Sequence, residues 1–270
     1  MMDNDIYRVV VCIKPVKSSL LGQESSNEPY QINPYDLMAL ENLVKIKKET
    51  RARFVITCLC MGPKKAEDMM RKALAIGADE ALLLNDNAFI GSDTVATSYI
   101  ISTAIKKLNN VRLIVCGERT IDGETGQVPA GLSERLNYKS IVEVNEIVGI
   151  SAETLTYKKS EGASVLTSKV KLPTVISYRE LKTTAPLISL LSLKRSKSKK
   201  IELWDINDIE IDESQCGLKG SKTKVLEVKN EFIKKVKNEF SKNENALVQG
   251  STEDKVKLIM EIVKGNTIKI

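Results

Sequence analysis

The sequence predicts an α/β fold in which helices cover both faces of a mostly parallel sheet. Through residue 117, short β-branched runs alternate with helical patterns, and this alternation is typical of parallel strands joined by crossover helices. From residue 142 to residue 178, apolar and polar positions alternate instead, which predicts an antiparallel or mixed extension of the same sheet. A composition of 42% hydrophobic and 28% charged residues is that of a globular protein.

The first part of the chain contains three predicted strands and two predicted helices with clear boundary signals. Asn33 and Pro34 suit the N-cap and the first position of a helix, and Gly77 suits the end of the next one. Both faces of the first two strands are expected to be buried, because their apolar residues run without alternation. The predicted order is a strand at Arg8–Ile13, a helix from Pro34 to Ile46, a strand at Phe54–Leu59, a helix from Ala66 to Ala75 and a strand at Glu80–Leu84.

A third helix, a fourth strand and a long loop follow. Ser92 and Asp93 are expected to cap a helix that extends through Ile105. Val111–Gly117 is the fourth predicted strand, again a continuous apolar run. The loop from Glu118 to Pro129 is polar and contains glycine, so it is expected at the surface, ahead of another helix.

The composition changes after Trp204, and this change divides the predicted domains. Residues 1–204 form the predicted α/β domain, and residues 205–270 form a predicted C-terminal arm with two amphipathic stretches, 225–240 and 254–263. The arm is too short to build a core of its own. We therefore expect it to wrap a partner subunit.

The composition also excludes several kinds of chemistry. The 270 residues contain no histidine, which removes Ser-His-Asp and Cys-His catalysis and histidine-ligated zinc. Five cysteines, an odd number, are scattered along the chain, and we expect those in apolar strands to be buried thiols. No apolar run approaches the roughly 20 residues that span a bilayer, and the start lacks an export signal. These observations predict a soluble, cytoplasmic protein.

The loops after the strands form the candidate site, because ligands of open parallel sheets bind at the carboxyl ends of the strands. The longest, Thr120–Ala130, contains Gly123 and Gly126, which let the backbone approach a ligand. Thr125 and Gln127 offer hydrogen bonds, and N–H groups at the next helix start would hold phosphate oxygens. A plain glycine-rich connection explains the same residues, so spacing alone leaves phosphate binding open. Without a catalytic constellation, a bound cofactor is expected to do the chemistry.

An apolar segment that leads into basic residues is the second unusual feature. Leu187–Leu193 is followed by five basic residues within Lys194–Lys200. Three interpretations stay open: a solvated face, a nucleic-acid contact, and a docking element whose apolar residues anchor a protein partner. Nucleic acid is the weaker alternative, because the run contains no aromatic residue and the net charge of the chain is only +6.

Taken together, these segments resemble the beta (small) subunit of electron-transfer flavoproteins over nearly the whole chain. Their order and spacing carry the resemblance, since each segment is a weak signal alone. The matching segments are Val9–Pro15, Asn33–Asp36, Met61–Pro63, Ala75–Asp79, Ile121–Gln127, Lys171–Pro173 and Lys199–Glu202. The resemblance implies a Rossmann-like α/β domain of the adenine-nucleotide-binding type at 1–204. It also implies a heterodimer with a larger alpha subunit, on which the arm at 205–270 packs.

The resemblance further implies cofactors and partners. The alpha subunit of the family carries an FAD that exchanges electrons with acyl-CoA dehydrogenase-type flavoenzymes. The beta subunit holds either a structural AMP or, in electron-bifurcating members, a second FAD that takes hydride from NADH. The stretches Asp122–Val128 and Gly91–Thr97 look more like the FAD-holding members, so FAD is preferred and AMP is the alternative. Ferredoxin stays open as a further partner, and neither nucleic acid nor a membrane is expected.

Matching the family's contacts onto this chain implies a cofactor site and a docking site, with no catalytic side chain and no metal ligand. Leu187, Leu190 and Leu191 correspond to the loop that docks the dehydrogenase. A function of a different class, a stand-alone ATP-binding signalling module, remains as an alternative that would have no use for residues 225–270. The implied cofactor residues are Cys12, Asn33, Pro34, Tyr35, Asp36, Met61, Asp122, Gly123, Glu124, Thr125, Gly126, Gln127, Val128, Pro129, Ala130 and Gly131.

Overall fold

The structure, a computed structural model, describes residues 6–21, 29–50, 53–180 and 188–223. The strands in these ranges are β1 (Tyr7–Cys12), β2 (Pro15–Lys17), β3 (Tyr30–Ile32), β4 (Phe54–Met61), β5 (Glu80–Leu84), β6 (Val111–Gly117), β7 (Lys139–Ile150), β8 (Thr154–Glu161), β9 (Ser164–Lys171), β10 (Thr174–Tyr178) and β11 (Ile201–Trp204). The α-helices are α1 (Pro34–Thr50), α2 (Glu67–Ile76), α3 (Thr94–Lys107), α4 (Val128–Leu136), α5 (Leu190–Ser198) and α6 (Gly217–Gly220). None of these helices combines the length and the apolar character needed to cross a membrane.

The large sheet is mostly parallel, which confirms the predicted fold class. Its strand order is β11-β5-β4-β1-β6-β10-β7-β8-β9, and every neighbouring pair from β11 to β7 is parallel. The antiparallel pairs β7-β8 and β8-β9 form the extension at one edge. From β1 the chain builds outward to β4 and β5, and it then returns to add β6 on the other side of β1. Ligands of such sheets bind at this switch point between β1 and β6.

Side chains of the central strands point alternately into two apolar cores, one on each face of the sheet. On β1, Val9 and Val11 enter the core that α1 and α2 cover. Val10 and Cys12 enter the core that α3 and α4 cover. Burial on both faces explains why the strand sequences are continuous β-branched runs. All five cysteines are free and buried, which confirms the prediction for those in the strands and places Cys216 in the core beside α3.

The helix boundary signals act as predicted at two positions. Asp93 caps α3, because its side chain accepts hydrogen bonds from the backbone N–H groups of Val95 and Ala96. Gly77 ends α2 with a φ of 142°, and its N–H donates to the carbonyl of Ala73. Residues with a side chain disfavour this φ, which accounts for the glycine.

β10 differs from the alternating pattern expected for its region. All five of its residues are buried, because β10 lies between β6 and β7 with a parallel partner on each side. The chain therefore inserts a late strand into the middle of the sheet. Strand position, which the local sequence pattern does not encode, decides this burial.

Residues 205–223 pack on the α/β domain, beyond the boundary that the sequence predicts. The compact unit extends to Lys224, whereas the sequence places the boundary after residue 204. Ile209 is buried in the core beside α3, and the backbone N–H of Asp212 donates to the Tyr99 hydroxyl at 3.0 Å. These contacts bind 205–223 to the domain. Residues 224–270, which include both amphipathic stretches, lie outside the described residues, so the packing of an arm on an alpha subunit stays a prediction.

Candidate functional site

The candidate site lies at the switch point, where the carboxyl ends of β1 and β6 are neighbours. The two strands pair in parallel, which brings the loop after Cys12 and the loop after Gly117 to the same edge of the sheet. The first turn of α1 sits beside both loops. Its Asp36 carboxylate accepts hydrogen bonds from the backbone N–H groups of Lys14 and Gly117, each at 2.8 Å. The structure thus joins three segments that are far apart in the chain.

Asn33 binds the loop after β6 with its side chain, a role beyond the expected helix cap. The side chain is fully buried. Its Nδ2 donates to the carbonyl of Arg119 at 2.9 Å, and its Oδ1 accepts from the N–H of Ile121 at 3.3 Å. Tyr35 adds a second contact, because its hydroxyl accepts from Arg119 Nε at 3.1 Å. Asn33 and Tyr35, both predicted as ligand contacts, therefore use their polar groups to hold the loop.

Three buried thiols, Cys12, Cys60 and Cys116, lie near the carboxyl ends of β1, β4 and β6. A hydrogen bond with Cys12 and burial together raise the pKa of the Cys116 thiol, and burial raises the pKa of Cys60. Protonated thiols are poor nucleophiles and poor metal ligands. Across the described ranges, no group of three or more acidic or cysteine side chains could hold a metal ion. Cys116 and Cys60 therefore act as apolar packing.

The loop at 118–127 is tied to the loop after β1 by one lysine. Lys14 Nζ lies 2.7 Å from Asp122 Oδ1 and 3.4 Å from Thr120 Oγ1. Partial burial raises the pKa of Asp122, but hydrogen bonds from Lys14 and Thr120 outweigh it and lower the pKa overall. The residues from 122 to 127 are exposed. The candidate site is thus bordered by an exposed loop and by the ion pair between Lys14 and Asp122.

The N-termini of α3 and α4 meet beside this loop. Thr94, the first residue of α3, donates from Oγ1 to Gln127 Oε1 at 2.9 Å, and Gln127 precedes α4 without capping it through its side chain. Glu124 and Gly126 adopt φ values of 52° and 62°, which turn the backbone ahead of the helix. Asp93 already accepts from first-turn N–H groups of α3, whereas no side chain caps α4, and uncapped first-turn N–H groups attract anions. The residues present therefore suit a phosphate group.

Comparison with known proteins identifies the family. Residues 23–209 match the electron transfer flavoprotein domain. The chain is similar to the electron transfer flavoprotein subunit beta of Clostridium acetobutylicum, with 34% identity over 237 residues that cover 84% of this chain and 89% of that one. The chain belongs to the electron transfer flavoprotein family, as a beta subunit.

Two further relatives agree with a place in the electron transfer flavoprotein family. Protein FixA of Bradyrhizobium diazoefficiens is 36% identical over 237 residues, which cover 81% of each chain. The caffeyl-CoA reductase-Etf complex subunit CarD of Acetobacterium woodii is 33% identical over 230 residues, which cover 81% of this chain and 86% of that one. The predicted family is confirmed, and this family is associated with flavins and nucleotides.

Several predicted cofactor residues of this beta subunit also belong to helices, to a strand or to packing contacts. α4 begins at Val128, so Pro129 lies buried in its first turn while Ala130 is exposed. A Cβ at Gly131 would lie 2.6 Å from Ser98 Oγ, so this glycine lets α3 and α4 pack closely. Pro34 is the first residue of α1. Met61 ends β4 and packs, half-buried, on the core beside α3.

Two of the predicted docking residues lie on α5, away from the loops of the candidate site. Leu190 and Leu191 begin α5 and are 86% and 56% exposed. α5 is held by α2, whose Arg71 donates to the carbonyl of Ser196 at 2.6 Å. Leu187 lies outside the described residues. The docking role of these leucines stays a prediction.

Two side chains that border the candidate site were absent from the predicted set. Lys14 follows β1 at the carboxyl edge of the sheet, a position that parallel sheets use for ligand contacts. Thr94 follows the cap residue Asp93, and a first-turn hydroxyl is a second usable signal. Neither signal reveals that Thr94 meets Gln127, because 33 residues separate them.

A separate depression of about 440 Å³ lies at the amino end of β6, where Leu108, Arg112 and Tyr138 are among its lining residues. This is the end of β6 opposite to Gly117. Because ligands of parallel sheets bind at the carboxyl ends of the strands, the switch point remains the candidate site of the flavoprotein subunit.

Proposed function

We propose that this beta subunit holds an adenine nucleotide, FAD in preference to AMP, in the crevice between the β1 and β6 loops. The observation that carries the proposal is the convergence of the loop at 118–127 with the N-termini of α3 and α4 at the switch point. The exposed residues 122–127 leave backbone and side-chain groups accessible to a ligand. FAD, when bound, supplies the electron-transfer chemistry.

Each group at the crevice has its own role toward the nucleotide. The N–H groups at the start of α4 and the turned backbone around Gly126 hold phosphate oxygens. Thr94 and Gln127 already bind each other, and each has the capacity for a further hydrogen bond. Lys14 supplies positive charge near the phosphates, in exchange for its pair with Asp122.

The preference for FAD rests on the number of anion-binding groups and on the loop sequence. A pyrophosphate carries more oxygens than the single phosphate of AMP, and the uncapped N-terminus of α4, the turned backbone at Gly126 and Lys14 together suit it better. The stretches Asp122–Val128 and Gly91–Thr97 resemble the FAD-holding, electron-bifurcating members. A bound AMP would leave some of these anion-binding groups without a phosphate oxygen to bind.

We propose further that the chain pairs with an alpha subunit and transfers electrons between NADH or acyl-CoA dehydrogenase-type flavoenzymes and an acceptor. The name of the relative CarD places that protein in a caffeyl-CoA reductase-Etf complex, which supports a flavoenzyme partner. The exposed Leu190 and Leu191 beside Lys194 and Arg195 supply an apolar surface with a basic rim, which suits protein docking. Ferredoxin as an acceptor is left to experiment.

Identification of the nucleotide released from the purified native complex tests the proposal. We expect mass spectrometry to find FAD in excess of the one FAD of the alpha subunit, and NADH to bleach the flavin absorbance. One FAD together with AMP would replace the FAD assignment with the AMP alternative. ATP in a chain that purifies without a flavoprotein partner would favour the signalling module.

A loop variant tests whether the nucleotide binds at the loop at 118–127. Replacing both Thr125 and Gln127 with leucine should lower the nucleotide content while the sheet stays folded, because both residues are exposed loop residues. The matched control replaces Thr167 and Lys169, which are exposed on β9, with leucine and should keep the nucleotide. Full retention in the loop variant would contradict the site.

A further inference from the structure

The Asp36 carboxylate is buried at the switch point and joins two segments that are distant in the chain. Asp36 is only 4% exposed. Its Oδ2 accepts from the backbone N–H of Lys14, and its Oδ1 accepts from the backbone N–H of Gly117. Lys14 follows β1 and Gly117 ends β6. The Asp36 side chain therefore connects β1 and β6. The order in which strands join the sheet reverses between these two strands.

The residue type at 117 depends on this contact. A Cβ at position 117 would overlap Asp36 Oδ1 and would lie 2.7 Å from the Cβ of Tyr35. Only glycine leaves room for the carboxylate to reach the backbone at the end of β6. The loop that starts here carries Asp122, which pairs with the side chain of Lys14. Asp36 thus holds the backbone on both sides of the crevice.

Both oxygens of Asp36 are already used by protein groups. The two backbone N–H groups bind one oxygen each and so fix the orientation of the side chain. The Asn33 side chain contributes a further bond. The loss of one such bond would leave a backbone N–H at the crevice without its acceptor. Asp36 is therefore placed to support the site rather than to contact a ligand.

We propose that Asp36 is a positioning residue that sets the separation of the β1 and β6 loops without touching the nucleotide. This inference rests on the proposed nucleotide site and changes the role of Asp36 within it. A second aspartate binds the backbone at the opposite end of the sheet, where Asp79 Oδ2 accepts from Ile56 N at 2.7 Å and from Lys47 Nζ at 2.5 Å. Asp79 is consequently a control for the loss of a backbone-binding carboxylate away from the candidate site.

The experiment compares Asp36→Asn with Asp79→Asn in the full-length chain. An asparagine at 36 keeps one oxygen and turns an amide N–H₂ toward a backbone N–H, so one of the two connections is lost. We expect Asp36→Asn to raise the Kd for FAD by about tenfold or more. Hydrogen–deuterium exchange should become faster in peptides that cover residues 13–17 and 117–127. Asp79→Asn should accelerate exchange at the start of β4 and leave the Kd for FAD within about twofold.

The outcomes separate the two proposals. A wild-type chain that binds neither FAD nor AMP overturns the proposed function and, with it, this inference. A wild-type chain that binds FAD beside an Asp36→Asn chain of equal affinity overturns the positioning role alone. A raised Kd without faster exchange in the two loops also overturns that role, because Asp36 would then act on the ligand directly.

A second variant keeps the inference testable if Asp36→Asn fails to fold. Gly117→Ala retains the carboxylate but places a Cβ against Asp36 Oδ1, so it disturbs the same contact from the other side. We expect the same rise in the Kd for FAD and the same faster exchange at 13–17. An alanine variant with wild-type affinity and wild-type exchange would overturn the positioning role.

Discussion

At the scale of single residues, the polar groups around the start of α1 point into the protein. Asn33 and Asp36 are both buried, and each bonds backbone groups of loops that follow other strands. In the structure, the side chains of this helix start connect the loops after β1 and β6. Burial of a carboxylate in such a connection has a measurable consequence for titration.

The pH dependence of stability should report on Asp36. Burial raises the pKa of Asp36 to about 7 in the folded chain, against the hydrogen bonds that lower it, whereas an unfolded chain has the ordinary value of about 4. The stability that this group contributes is therefore complete below about pH 4 and falls as the pH rises through about 7. Asp36→Asn removes this dependence, since an amide does not titrate.

Urea unfolding at about pH 5 and about pH 8 measures the effect. We expect the free energy of unfolding of the wild type, minus that of Asp36→Asn, to be smaller at the higher pH. Ser177→Ala is the control, because it removes a buried acceptor for the Glu143 N–H without removing a titrating group. An equal difference at both pH values for Asp36→Asn would contradict the assigned pKa.

At the scale of elements, the N-terminus of α3 connects three parts of the chain. Asp93 Oδ1 caps the helix, and Oδ2 accepts from the N–H groups of Lys222 and Thr223. The next residue, Thr94, binds Gln127 of the candidate loop. The start of α3, which a local capping signal predicts, therefore also anchors Lys222 and Thr223.

Asp93→Ala should destabilise the chain and free the segment at 221–223. Loss of the cap costs about 1–2 kcal/mol in the free energy of unfolding, and trypsin should cleave after Lys222 faster. The control is Ser189→Ala, which removes a cap that accepts from the Ser192 N–H at the start of α5. We expect this control to leave cleavage after Lys222 unchanged. Equal cleavage rates in Asp93→Ala and wild type would contradict the anchoring role.

At the scale of the whole molecule, the order in which strands join the sheet locates the site. The build direction reverses between β1 and β6, and ligands of open parallel sheets bind at such a switch point. β10 and β7 then extend the parallel sheet beyond β6. The described residues all belong to the compact unit that ends at Lys224.

Truncation after Lys224 tests the proposed heterodimer. Because the compact unit ends there, we expect the truncated chain to keep the circular dichroism spectrum of an α/β protein but to lose co-purification with a tagged alpha subunit. Leu190→Ser with Leu191→Ser is the control, since these exposed residues are assigned to a dehydrogenase partner. The control should retain the alpha subunit. Unchanged co-purification of the truncated chain would show that the arm has another role.

Most of the fold was predictable because its signals are local. The apolar run in β1, the cap at Asp93 and the φ requirement at Gly77 each depend on a few neighbouring residues. The candidate loop was predictable for the same reason, since it follows β6 directly. The roles inside the site were not, because Asp36 lies 81 residues from Gly117 and Asn33 lies 88 residues from Ile121.

The sequence by itself determined the α/β class, the parallel core and the flavoprotein family, because periodicity, capping and motif order are properties of the linear chain. Only the tertiary structure decided that Asp36 joins the β1 and β6 loops, that Gly131 serves helix packing, and that 205–223 belong to the α/β domain. The physical reason is that each of these roles is a contact between segments far apart in sequence, and such contacts exist only once the strand order brings the segments together.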